Sequence, residues 1–228
     1  MARNRQREEQ QELPLKLRGG KRAGAGRKPR SDRRRVPHGT RSAVSPHHPL
    51  HVTVRIRKGL PSMRQARVRK VLNAALRAAR ENPAVRLVHF SIQSNHLHLL
   101  VEAQDRASLS RGMQGLLIRI SKALNRLWDR RGSVFYDRFH SRSLRTPREV
   151  RNALVYVLQN ARKHGVKLGR RLDLYSSALW FDGWRGLVHT LFGGLGGAPV
   201  QEPRSWLLRV GWRRHGLIDP GECPRLAG

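Results

Sequence analysis

Acidic residues are scarce in this chain. Only 15 Asp and Glu stand against 47 Lys and Arg in 228 residues, a formal net charge of +32. So lopsided a charge opposes its own compaction. It calls for a polyanionic partner, nucleic acid before a membrane surface. Long apolar runs are missing as well. No stretch approaches the roughly 20 residues of a spanning helix. Met1 to Thr40 is charged throughout, with no apolar signal core. These absences set the membrane aside and predict an intracellular protein, cytoplasmic and associated with the nucleoid. The single cysteine, Cys223, excludes an internal disulfide and a zinc cage built from cysteines. Hydrophobic residues make up 38% of the chain, enough for one modest core with tails.

Residues 1–45 carry 14 Lys and Arg and 4 acidic residues, a net of +10, with several glycines and few aliphatic side chains. Such a segment cannot bury enough apolar surface to offset its ordering entropy, so it reads as a disordered basic arm. Arg27, Lys28 and Arg30 within it suit a narrow minor groove. They suit a solvated charged tail equally well.

A folded domain is expected over residues 46–170. His51 to Arg57 alternates apolar and polar residues, the mark of a half-buried strand. Ser62 to Glu81 has apolar residues at helical spacing and stops at Asn82-Pro83. Val85–Ile92 and His96–Glu102 flank a short polar break and read as an antiparallel hairpin. Leu109 to Arg130 is a second helix. Ser133 to Leu144 reads as a fourth strand. Thr146-Pro147-Arg148-Glu149 is a helix start with a capping box, and the third helix runs to about His164 before Gly165. Strand, helix, hairpin, helix, strand, helix predicts an α+β, ferredoxin-like antiparallel sheet with helices on one face. Residues 171–228, rich in Gly, Trp and Arg, read as a small helical appendage.

Two short patterns carry chemistry. His96 and His98 are two apart on a predicted strand, so their imidazoles project from one face and are spaced to share a metal ion. Leu97 points the other way, into the core. A bis-imidazole site with open positions can activate a bound phosphate as a Lewis acid. On the third helix, Tyr156 and Asn160 are four apart and share a face. A tyrosine hydroxyl can attack a phosphodiester when cations assist it. The Asn160 amide oxygen could reach the same metal. Gln159 is the adjacent candidate, but one helical position turns a side chain by about 100°, away from the Tyr156 face.

Together these segments resemble the single-tyrosine HUH transposases, and within them the REP-associated tyrosine transposases. The similarity lies in His51-Val52-Thr53 with Arg55, Asn95-His96-Leu97-His98-Leu99-Leu100-Val101, Phe135-Tyr136-Asp137-Arg138-Phe139 and Tyr156-Val157-Leu158-Gln159-Asn160. It spans roughly residues 47 to 170. It implies a ferredoxin-like fold and a divalent metal, Mg²⁺ or Mn²⁺. It also implies cleavage and rejoining of single-stranded hairpin DNA through a 5′-phosphotyrosine. On it, His96 and His98 are metal ligands, Tyr156 is the nucleophile and Asn160 (or Gln159) is the third ligand. Arg55, Arg138, Arg162 and Lys163 join the arm as DNA contacts. The family usually continues Asn-Pro after the tyrosine, where this chain has Asn160-Ala161.

Other residues have plainer readings. Glu102 is an outer-sphere partner of the metal or, more simply, a solvated strand end. His89 is a packing or surface residue. Tyr136, which shares a strand face with His140, is the rival nucleophile. The C-terminal tryptophans are interleaved with arginines, a composition that fits stacking on unpaired bases or the packing of a small core. The competing function is a non-catalytic nucleic-acid-binding protein on the same fold. A monomer and a homodimer are both compatible with the sequence.

Overall fold

A computed structural model of the chain describes residues 43–81, 83–169, 171–186 and 197–224. Arg27, Lys28 and Arg30 of the basic arm lie outside the described residues. The ordered elements follow the expected sequence: β1 (Leu50–Arg55), α1 (Ala66–Ala78), β2 (Arg86–Ile92), β3 (His96–Glu102), α2 (Arg106–Leu127), β4 (His140–Ser143) and α3 (Pro147–Leu158). Two short helices follow, α4 (Asn160–Lys163) and α5 (Trp206–Arg209). The strands form one open sheet in the order β2-β3-β1-β4, with every neighbour antiparallel.

Side-chain alternation explains the two faces of this sheet. Leu50, Val52 and Val54 on β1 and Leu97, Leu99 and Val101 on β3 bury into one core. Against them pack the apolar stripes of α1 (Val68, Leu72, Ala75, Leu76) and α2 (Leu109, Met113, Leu116, Ile120, Leu124). Each of these leucines contributes about 1.5–3 kcal/mol by leaving water. The sequence led us to expect helices on one face only. α1 and α2 keep to that face, but α3 covers the other. Val150, Leu154, Val157 and Leu158 of α3 join Leu100, Val88 and Leu144 in a second core. Both sides of β3 are therefore covered, one by Leu97, Leu99 and Val101 on the first core, the other by Leu100 in the second core between His98 and Glu102.

Local signals set the helix ends. Asp105 caps α2, its carboxylate accepting from the Ser108 N–H at 2.7 Å. At α3 the Thr146–Glu149 capping box is complete, with reciprocal bonds of 3.2 Å. Two boundaries differ from expectation. The fourth strand is confined to His140–Ser143, preceded by a lone bridge from Phe135 to Ile56. The third helix breaks at Gln159 and resumes for one turn as α4. Gly165 follows with φ +79°, a left-handed conformation that glycine adopts at no steric cost.

Beyond residue 170, the expected small appendage packs into the second core. Leu172, Phe181, Trp184, Leu207, Leu208, Trp212 and Ile218 lie with the apolar side of α3. Polar ties hold the same segment. Arg64 makes a bidentate pair with the buried Asp173, at 2.8 and 3.0 Å. Arg151 does the same with Glu222, at 2.8 and 2.9 Å.

Candidate active site

The register of β1 against β3 builds the site. His96 pairs with Arg55, His98 with Thr53 and Leu100 with His51. Directly paired residues share a face. His51, Thr53 and Arg55 therefore line up beside His96 and His98, on the side that α3 covers. The two histidines of β3 meet through their Nε2 atoms, 2.9 Å apart. The Nδ1 of His96 lies 2.7 Å from the Asn95 side-chain oxygen, so it carries the proton and leaves Nε2 with a lone pair. The Nδ1 of His98 lies 3.1 Å from Thr53 Oγ1 and 3.2 Å from His51 Nε2.

This geometry fits a shared cation. Two nitrogens held at about 2.1 Å from one ion at a right angle stand about 3.0 Å apart. A third donor is at hand in chemical character. The Asn160 side chain is fully buried, and neither its amide oxygen nor its nitrogen has a hydrogen-bond partner. A buried, unpartnered amide is costly unless something else completes it. Gln159 is equally buried but fully engaged. Its amide nitrogen donates to the Pro220 carbonyl at 2.8 Å and to Asp219 at 3.3 Å, and its oxygen accepts from Arg162 Nε at 2.9 Å.

α3 brings the phenol to the histidines. The half-buried Tyr156 ring lies 5.0 Å, centroid to centroid, from His98 and 5.6 Å from His51, edge-on to both. Lys163 Nζ sits 4.7 Å above the tyrosine ring, and the His164 ring is 6.0 Å from His96. Arg162, expected as a DNA contact, has its guanidinium on Gln159, Pro220 and Arg171 of its own chain. Arg138 is half-buried, while Arg55 is exposed at the end of β1 beside His96. Cations next to the paired imidazoles are therefore Arg55 and Lys163.

Burial and like charge keep these imidazoles neutral. Burial lowers the His51 pKa to about 4, helped by Arg142 and His140. Burial, Arg55 and His164 bring His96 to about 4. His98 is lowered furthest, to about 2, by burial and its neighbours His51 and His96. Neutral imidazole is the metal-binding form, so the lone pairs remain available at any physiological pH. His89, on the same side of the sheet, is lowered to about 3 by burial alone, with its Nδ1 3.1 Å from Ser177 Oγ.

A pH dependence of stability follows. The unfolded chain protonates its histidines as pH falls through about 6.5, whereas the folded chain resists to about 4 or below. Stability is therefore full above pH 6.5 and lost as the solution is acidified. At pH 5, His51 and His89 should each cost about 2 kcal/mol. Urea unfolding at pH 7 and pH 5 measures this, and coincident midpoints would contradict it.

Other candidates separate cleanly. Glu102 is neither solvated nor near the paired imidazoles. It is buried at the opposite end of β3 from His96, accepting from the Arg204 and Ser205 backbone N–H groups at 2.8 Å each. Tyr136 is exposed, on the irregular approach to β4, with its N–H bonded to the Arg55 carbonyl. His51 and His164 belong to the constellation although the sequence reading gave them no role. The alternation of β1 places His51 with Thr53 and Arg55, but only pairing with β3 shows which side chains they meet.

A family model described as "Transposase IS200 like" matches residues 47–160, half of the chain. No curated protein matches significantly. Among solved structures, the chain is similar to a REP-associated tyrosine transposase bound to a REP hairpin. The identity is 15% and the TM-score 0.46, covering 57% of this chain and 75% of the other. It is also similar to a candidate transposase from Deinococcus radiodurans, at 12% identity and TM-score 0.37, over 49% of this chain and 87% of the other.

Proposed function

The chain belongs to the IS200-like transposase family, and on that premise we propose that it cleaves and rejoins single-stranded, hairpin-bearing DNA through Tyr156. One observation carries this reading. The paired Nε2 atoms of His96 and His98 converge at 2.9 Å, and a half-buried phenol lies beside them on its own helix. A buried phenol remote from the histidines would have left only a basic binding protein.

Mg²⁺ or Mn²⁺, held by His96, His98 and the amide oxygen of Asn160, would polarise the scissile phosphate and stabilise the charge that builds on it. The protein's own groups do the rest. Asn95 fixes the His96 tautomer, and Thr53 and His51 hold the His98 ring from its far nitrogen. The Tyr156 oxygen attacks phosphorus in line and loses its proton. The P–O3′ bond breaks, and the 3′-oxygen takes up a proton. A 5′-phosphotyrosine results, with the phosphodiester energy retained. Attack by another 3′-hydroxyl reverses the step and joins strands. Lys163 and Arg55 add positive charge where the phosphate must lie.

Incubation of labelled single-stranded hairpin DNA with the protein and Mn²⁺ tests this. A covalent adduct should persist on a denaturing gel, and chelator should abolish it while binding in native gels survives. Binding without any adduct in Mg²⁺ or Mn²⁺ would reduce the protein to a non-catalytic DNA binder.

A further inference from the structure

The C-terminal segment contains an aromatic that core packing does not account for. Trp212 is fully buried, with its indole N–H on the Leu208 carbonyl at 3.0 Å. Trp184 is buried and donates to Ala178 at 3.0 Å. Trp206 is 48% exposed. Its six-membered ring packs against Gly211, where a Cβ would come within 2.6 Å of the indole. Glycine thus lets the ring approach the backbone closely. The Arg214 guanidinium lies over the ring, 4.8 Å from its centroid. Val210, 53% exposed, extends the apolar surface.

Basic residues dominate the sequence on either side of this ring. From Pro203 to Ile218 there is no acidic residue, while Arg204, Arg209, Arg213 and Arg214 all fall within the stretch. Arg204, Arg209 and Arg214 are exposed, and Arg213 is paired with the surface Asp182 at 2.8 Å. A half-exposed indole with a guanidinium layered over it, on a stretch that also exposes Arg204 and Arg209, matches an unpaired nucleotide, whose base stacks on the indole–guanidinium layer while its phosphates meet the arginines. A neutral protein partner would leave those charges unanswered.

We infer that Trp206, with Arg214, Arg209 and Arg204, forms a stacking platform for an unpaired base of the DNA strand that runs to the active site. Its place in the fold agrees. Ser205, the preceding residue, is bonded to Glu102, and six residue steps of β3 separate Glu102 from His96. At about 3.3 Å per step that is roughly 20 Å, the length of about six stacked nucleotides. The platform lies on the α3 side of the sheet, since its neighbours Leu207 and Leu208 share the core with α3. A single-stranded flank held at Trp206 would therefore reach Tyr156 along one side of the molecule. The inference rests on single-stranded DNA as the substrate but not on Tyr156 as nucleophile.

The test is run on the full chain in chelator, where no strand is cut. Two probes are compared: a DNA hairpin with a ten-nucleotide thymidine flank and the same hairpin without it. Trp206→Leu keeps an apolar contact with Gly211 but removes the aromatic face. It should weaken binding of the flanked probe by on the order of ten-fold and leave the blunt hairpin unchanged, whereas Trp206→Phe should retain most of the affinity. Wild-type protein irradiated with a 5-bromouracil flank should yield a cross-linked peptide containing Trp206, a readout independent of how the variants fold. Equal affinity of the Leu variant for the flanked probe, an equal loss on both probes, or cross-links that avoid residue 206 would each overturn the inference. So would a Leu variant that binds DNA normally but changes mass in sedimentation, which would make this surface a contact between copies of the chain.

Discussion

Tyr156→Phe should abolish the covalent protein–DNA adduct while changing the affinity for the same oligonucleotide by less than about two-fold. The substitution removes one oxygen and keeps the ring. The packing against His51 and His98, at 5.6 and 5.0 Å, and the Lys163 contact at 4.7 Å survive it. Nothing else in the variant changes, so the loss falls on bond making alone. Removing a nucleophile lowers the rate by at least about 10³-fold. The measurement is a denaturing gel and a native gel on one labelled substrate with Mn²⁺. An adduct that persists in Tyr156→Phe and vanishes in Tyr136→Phe would move the role to the exposed tyrosine before β4.

His98→Ala should eliminate tight Mn²⁺ binding, read by electron paramagnetic resonance of free Mn²⁺, and with it all cleavage. His98 is the hinge of the site. Its Nε2 faces His96, and its Nδ1 is gripped by Thr53 and His51. To offer Nε2 to a cation it must carry its proton on Nδ1, donating to Thr53 Oγ1 or His51 Nε2. Thr53→Val keeps the shape and removes one acceptor. It should weaken Mn²⁺ binding about ten-fold, the scale on which outer-shell partners of metal-bound histidines act. DNA binding in chelator should be unchanged in both variants. Wild-type affinity for Mn²⁺ in His98→Ala would remove the metal from this site. Unaltered affinity in Thr53→Val alone would show that the ring needs no such anchor.

The two patterns that carry the chemistry differ in how they could be read. His96-Leu97-His98 declares itself through strand period, because residues two apart cannot avoid sharing a face. The capping box at Thr146 likewise fixes the start of the tyrosine helix. The third histidine could not be read this way. His51 lies 47 positions from His98, and only the pairing of β1 with β3 makes them neighbours. Glu102 illustrates the reverse case. It follows the His96-Leu97-His98 pattern closely in sequence, yet a strand of seven residues carries it to the far end of the site, where it anchors the C-terminal segment. The difference between Gln159 and Asn160 also depends on remote chain. Residues 219–220 occupy the Gln159 amide, while Asn160 stays buried without a partner.

By itself the sequence determined the order of strands and helices, the basic character that calls for nucleic acid, and the two short patterns that supply imidazoles and a phenol. Those features arise from periodicity and composition, which act within a few residues. Tertiary structure alone decided that α3 lies on the face opposite α1 and α2, that His51 and Thr53 grip His98, and that one tryptophan of the C-terminal segment remains at the surface. Each of those depends on which distant segments compete for the same buried area, and a linear pattern does not contain that competition.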